Sequence, residues 1–226
     1  MKLGQFLVCA SLIGGIAGAA SAQITQTKGK YTFRMKFRAG DFARYVSEFK
    51  QGGAGGMVVA LPFSQKVRFV RNGVANLDVA MGPAKMNGRV MGQEPNVVSM
   101  QLSASGKQVS GSAPTPGISV FPTTPIRIGD KWSGDMSLAS SGLGANEAKA
   151  VYTFEKIGTY AGKKVAVIGF KLNSGGTSAI TGVGRNYVQL SDGWLVGAEM
   201  DLSMNLTTDP KSKPTALKFK MTVKRL

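Results

Sequence analysis

The chain reads as all-β, mainly antiparallel, and three observations carry that reading. Apolar and polar residues alternate with period two over long stretches, the spacing that puts successive side chains on opposite faces of a strand. Tight-turn pairs such as Asn72-Gly73 and Ser105-Gly106 separate these stretches, as hairpins require. No long segment shows a clear helical period. The expected architecture is a long-stranded curled sheet, a half-barrel or a barrel-like form, and an internal echo allows two repeated halves.

Residues 1–22 stand apart. Lys2 precedes an apolar run from Phe6 to Ala20, and Ala20-Ser21-Ala22 is a small-x-small site. This is the layout of a secretory signal peptide, with the mature chain expected to start at Gln23. The only cysteine, Cys9, lies within the apolar run and not at its end, which argues against a lipid anchor there. A single domain over residues 23–226 is expected, with halves of about 23–112 and 126–226 joined by a Pro-rich segment, 113–125. No later apolar run is long enough for a membrane-spanning helix. The expected location is outside the cytoplasm, periplasmic or extracellular.

The first alternating segment sets Tyr31, Phe33, Met35 and Phe37 against Lys30, Arg34, Lys36 and Arg38, one face apolar and the other basic. After a Gly40-Asp41 turn, Phe42 to Lys50 fits a strand or a short helix; the tight turn and the flanking strands favour a strand. Gly52 to Gly56 is a loop. Lys66–Arg71 and Val74–Met81 flank Asn72-Gly73, and Val97–Leu102 and Lys107–Gly111 flank Ser105-Gly106. Pro114, Pro116, Pro122 and Pro125 make Ser112–Pro125 a stiff connection, since proline donates nothing to a sheet ladder; it is either a linker between halves or a lid. Ala148–Ile157 and Lys164–Leu172 enclose Ala161-Gly162. Thr177–Leu190 and Trp194–Thr207 enclose Ser191-Asp192-Gly193.

The last of these strands has the clearest pattern: Trp194, Val196, Ala198, Met200, Leu202 and Met204 on one face, Glu199, Asp201 and Ser203 on the other. It would extend on the order of 45 Å. At the end, Leu217, Phe219, Met221 and Val223 alternate with Lys218, Lys220, Thr222 and Lys224. The echo relates Phe37-Arg38-Ala39-Gly40-Asp41-Phe42 to Ile126-Arg127-Ile128-Gly129-Asp130-Lys131.

Composition excludes much chemistry. The chain has no histidine, and Cys9 falls in the leader. A Ser-His-Asp or Cys-His nucleophile is therefore absent, as is a zinc site of ordinary composition. Ser47-Glu48-Phe49-Lys50 matches S-x-x-K, but no K-T-G strand accompanies it. Aspartates cluster too thinly for calcium, and Gly182-Val183-Gly184 lacks the third glycine of a dinucleotide loop. No cofactor is expected, and an enzyme is not the favoured reading.

The Gly129-Asp130-Lys131-Trp132 start and the Asp192-Gly193-Trp194-Leu195 hairpin, with the leader and long alternating strands, resemble uncharacterised exported β-rich bacterial proteins. The layout is also similar to that of lipoprotein carriers, whose curled half-barrel shelters acyl chains. That resemblance implies a sheltered apolar ligand.

The formal net charge of +16 favours polyanionic partners. Methionine adapts to varied apolar ligands, which makes Trp194, Met200, Met204, Phe33 and Met221 the candidate lining of a cavity for a lipid or other amphipathic small molecule. If the first and last strands are neighbours, Lys30, Arg34, Lys36, Arg38, Lys218, Lys220 and Lys224 merge into one surface for an anionic membrane or an envelope polyanion. Aromatics on the opposite face argue against nucleic acid. The leading expectation is a non-enzymatic binding protein. The rival is a structural or adhesive envelope protein with a fully packed core, and a hydrolase stands third.

Overall fold

The computed structural model of the chain describes residues 24–52, 56–91, 96–111, 120–137, 147–174, 180–206 and 215–226. Residues 1–23, with the expected leader, lie outside them, as does the first part of the Pro-rich connection, residues 112–119.

Alternation produces strands almost everywhere it was read. In chain order they are β1 (Ile24–Thr27), β2 (Lys30–Phe33), β3 (Phe42–Gln51), β4 (Val58–Arg71), β5 (Val74–Met81), β6 (Lys85–Met86), β7 (Arg89–Val90), β8 (Asn96–Ser103) and β9 (Gln108–Gly111). The second half contributes β10 (Lys131–Ser137), β11 (Glu147–Tyr160), β12 (Lys163–Asn173), β13 (Ile180–Gln189), β14 (Leu195–Leu206) and β15 (Thr215–Arg225). The segment that fitted either strand or helix, Phe42 to Lys50, is strand.

One sheet holds all but the β1–β2 pair, in the order β10-β11-β12-β13-β14-β15-β3-β4-β5-β8-β9, and every pairing is antiparallel. The sheet is curled without closing into a barrel. Its inner face buries one continuous cluster drawn from both halves, including Tyr45, Leu77, Met100, Tyr152, Ile168, Met200 and Val223. A sheet whose two wings share a single core must curl around it.

The hairpin between β4 and β5 turns on Asn72 (φ 51°) and Gly73 (φ 73°), and that between β11 and β12 on Ala161 (φ 48°) and Gly162 (φ 75°). These turns, with those after β8 and β13, lie at one end of the sheet. The N-terminal segment crosses that end. Ile24 N–H donates to Leu190, Met35 N–H to Ala104 and Lys36 N–H to Asp192, while Tyr31 and Ile126 exchange backbone bonds. Phe33 is fully buried beneath this strap, tilted or edge-on to Phe121, Trp132 and Phe154. Such aromatic pairs contribute about 0.5–1.5 kcal/mol each beyond area burial. Residues 120–121 join the two wings: Phe121 N–H donates to Ser105, and the Val120 carbonyl accepts from Trp132 Nε1 at 2.7 Å.

The short sequence echo is a structural repeat. Arg38 N–H donates to the Asp41 carboxylate at 2.7 Å, and Arg127 N–H to that of Asp130 at 2.8 Å. Gly40 N–H then donates to Val67 and Gly129 N–H to Phe154; Val67 N–H and Phe154 N–H return to Asp41 and Asp130. Both receiving residues precede a β-bulge, at Arg68 in β4 and Glu155 in β11. β3, β4 and β5 thus correspond to β10, β11 and β12.

Two expectations are corrected. The first and last strands are not neighbours: β2 pairs with β1, and β15 pairs with β3. The seven basic residues therefore do not merge through strand pairing. Val196 does not share the face of Met200. It is the extra residue of a bulge, since Tyr187 pairs with Gly197 and Val188 with Leu195. It turns to the outer face, where it joins Val165 and Val167 beneath Tyr160 and Tyr187. A bulge shifts the period by one residue, which alternation alone cannot register.

Candidate functional site

The five residues read as a cavity lining all face inward, with exposures from 0% for Phe33 to 6% for Met204. Trp194, Met200, Met204, Phe33 and Met221 belong to the same continuous core cluster. Met200 borders a recess on the outer face, and Trp194 borders a smaller one of about 280 Å³ at the capped end, beside Lys36, Arg38 and Arg225.

The basic residues divide by location. Lys30, Arg38, Lys218, Lys220 and Lys224 are exposed, while Arg34 and Lys36 are half-buried. Arg34 is a tie within the fold, its guanidinium donating to the carbonyls of Phe33, Pro122 and Thr123. Lys218 and Lys220 lie on β15, away from the strap and beside another recess.

That recess is about 780 Å³, on the outer face towards the far end of the sheet. Lys50, Lys171, Lys218 and Lys220 surround it, with one acid, Asp201. Val183 is the outward apolar side chain; Leu172, Leu202 and Phe219 border the recess while their side chains face the inner core. A second recess of about 390 Å³ shares Lys171, Val183, Asp201 and Lys220 with it, and continues the trough towards Lys131, Glu155, Arg185 and Glu199.

Register explains the assembly. Lys50 pairs with Lys220, Lys220 with Asp201, Asp201 with Val183 and Val183 with Lys171, so one outward row crosses five strands. Lys50 is also ion-paired to Glu48 at 3.3 Å. Gly182 and Gly184 on β13 make room for the inner core beneath this row: a Cβ at Gly182 would lie 2.6 Å from Leu202 Cδ2, and one at Gly184 2.6 Å from Phe170 Cζ. The trough was missed in the sequence because it depends on residues from five strands; the alternate lysines on β15 were its one legible sign.

Beside the trough, the bulge at Glu155 aims its carboxylate at Arg185, with Oε2 2.7 Å from Nε. The hydrogen bond and charge of Glu155 raise the Arg185 pKa. The rings of Tyr160 and Tyr187 stack at 3.9 Å, and burial followed by the nearby Glu199 raises both phenol pKa values.

The S-x-x-K pair does not assemble. Ser47 is buried on the inner face of β3, whereas the Lys50 side chain reaches Glu48 in solvent. Residues three apart on a strand point to opposite faces. Among the described residues, no three histidine, cysteine, aspartate or glutamate side chains converge to hold a metal ion, and no helix is long and apolar enough to cross a membrane.

No protein-family model matches the chain, and no curated protein is similar to it. Two solved structures are similar to it. One, described as a candidate lipoprotein from Parabacteroides distasonis ATCC 8503, is 12% identical with a TM-score of 0.41, covering 85% of this chain and 97% of its own. The other, described as a candidate exported protein with a YmcC-like fold from Bacteroides fragilis NCTC 9343, is 12% identical with a TM-score of 0.39, covering 83% and 97%. At this identity and these scores neither likeness carries a functional assignment.

Proposed function

We propose that the chain is an exported, non-enzymatic binding protein for an anionic amphipathic ligand, held in the outer trough between β12 and β3. The supporting observation is the ring of four lysines around one outer recess, with Val183 between them. Val183 and the aliphatic stems of the lysines suit an alkyl chain, and the ammonium groups suit a phosphate or carboxylate head. This moves the ligand from the inner face, where the methionines are packed, to the outer face. Export rests on the leader-like residues 1–22.

Titration with dodecyl phosphate below its micelle concentration tests this reading, with dodecyl maltoside as the neutral control. Saturable binding of the phosphate alone is expected. Changing Lys171, Lys218 and Lys220 together to Gln should weaken it by at least about tenfold, the scale of one or two charge-assisted contacts. No saturable binding to the unaltered chain would overturn the proposal. That outcome would favour the rival, a structural or adhesive envelope protein, which the burial of Phe33, Met200 and Met221 in one core supports.

A further inference from the structure

The repeat exposes an addition. In the second half, only six residues, 174–179, separate β12 from β13 in the chain. The corresponding connection in the first half, from β5 to β8, contains the β6–β7 hairpin. Gly82 N–H donates to Pro62, and the chain then returns to β4, pairing Lys85 with Ala60 and Met86 with Val59. It reverses at Asn87 (φ 47°) and Gly88 (φ 81°), and Met91 N–H closes the hairpin on Ala84.

The tip is fixed at the extreme far end of the sheet. Asn87 N–H donates to the Val58 carbonyl, and Val58 N–H to Asn87 Oδ1 at 2.9 Å. The hairpin thus stands beside Met57, whose carbonyl is bonded to Gln51 at the end of β3.

Its surface is apolar where a water-facing hairpin would be polar. Val90 is 62% exposed, Met91 42% and Met57 36%, while Val97 at the start of β8 is 60% exposed. Lys85 and Arg89 are exposed on the same hairpin, and no ion pair engages either among the described residues. Exposed aliphatic side chains interleaved with unpaired cations match the boundary between phosphate headgroups and acyl chains.

We propose that the β6–β7 hairpin is a docking tip for an anionic lipid bilayer, with Val90 and Met91 entering the headgroup boundary and Lys85 and Arg89 meeting phosphates. This does not rest on the trough. The trough lies towards the same end, however, so a docked molecule would bring it near the membrane.

Flotation of the exported form with phosphatidylglycerol–phosphatidylcholine vesicles tests the proposal. Substitution of both Val90→Asp and Met91→Asp should lower partition by about tenfold or more, since two apolar side chains no longer leave water. Lys85→Gln and Arg89→Gln should each cost roughly fivefold at low salt, and little at ~0.5 M, where screening reaches only about 4 Å. Because these side chains are exposed, circular dichroism and melting should be unchanged. Indole emission from Val90→Trp should shift to the blue on vesicles and be quenched by brominated lipid.

Three results would overturn the proposal: partition unaffected by the two aspartates, equal partition onto pure phosphatidylcholine, or loss on changing Lys36 and Arg38 at the capped end in place of Lys85 and Arg89. Binding of dodecyl phosphate without vesicles reports on the trough alone, so failure of either reading is visible separately.

Discussion

The indole N–H of Trp194 donates to the backbone carbonyl of Lys36 at 3.0 Å, joining residues 158 positions apart. The same ring carries the Arg225 guanidinium 5.7 Å from its centroid and lies edge-on to Phe37. Beside it, a Cβ on Gly193 (φ 73°) would lie 3.0 Å from Met35 Cα. Trp194 is therefore the anchor of the N-terminal strap. Trp194→Phe removes the donor and leaves a half-buried carbonyl unpaired, at a cost of about 1–3 kcal/mol. A lower urea midpoint with an unchanged slope is expected; an unchanged midpoint would show that the strap docks without this bond.

Ala161 holds φ 48° in the turn where the repeat has Asn72. An alanine there is strained, and asparagine tolerates that region far better. Ala161→Asn should stabilise by about 0.5–1 kcal/mol, raising the melting temperature by roughly 1–4 °C for a chain of this size. The reverse change, Asn72→Ala, should lower it by a similar amount, and calorimetry reads both.

Burial raises the phenol pKa of both Tyr45 and Tyr152, opposed at Tyr45 by Arg225 and reinforced at Tyr152 by Asp135. In the unfolded chain a phenol titrates near ~10. The folded value is higher, so burial of the neutral form adds stability that is fully present below about pH 10 and is lost as pH rises towards the folded values. Absorbance at tyrosinate wavelengths should show these two phenols ionising only with unfolding. Smooth titration of every tyrosine with the fold intact would contradict this.

Among the described residues the buried Tyr152 hydroxyl has no hydrogen-bond partner, although its ring stacks on Trp132 at 5.5 Å. Tyr152→Phe keeps the stack and removes the unsatisfied oxygen. Stability should rise by up to about 1 kcal/mol. A loss of more than that in chemical denaturation would reveal a bond the hydroxyl makes in solution.

Much of the architecture was legible because its signals are local. Alternation placed Phe33, Met200, Met204 and Met221 inward and Glu199, Asp201 and Lys220 outward, and Asn72-Gly73 marked its hairpin. The misses share a cause. The bulge that turns Val196 outward and the one that aims Glu155 at Arg185 alter the period without a residue signature. The neighbour of β15 is decided by the whole sheet, so the basic face read from Lys30 to Arg38 was joined to the wrong partner. The trough lay further from view: Lys50, Lys171, Val183 and Lys220 meet only through a register across five strands.

The pairing of β15 with β3 has a consequence for synthesis. Each wing is a meander of sequential strands, ready to form as it emerges, but the seam between the wings waits for β15. A chain stopped before Thr215 would not be a slightly smaller sheet. It would be two half-sheets, with β3 and β14 presenting bare ladders at what should be the centre, and bare ladders recruit other chains. The eleven-residue β15 is thus the keystone, and nascent-chain quality control would find its hazard in any chain that stalls before it.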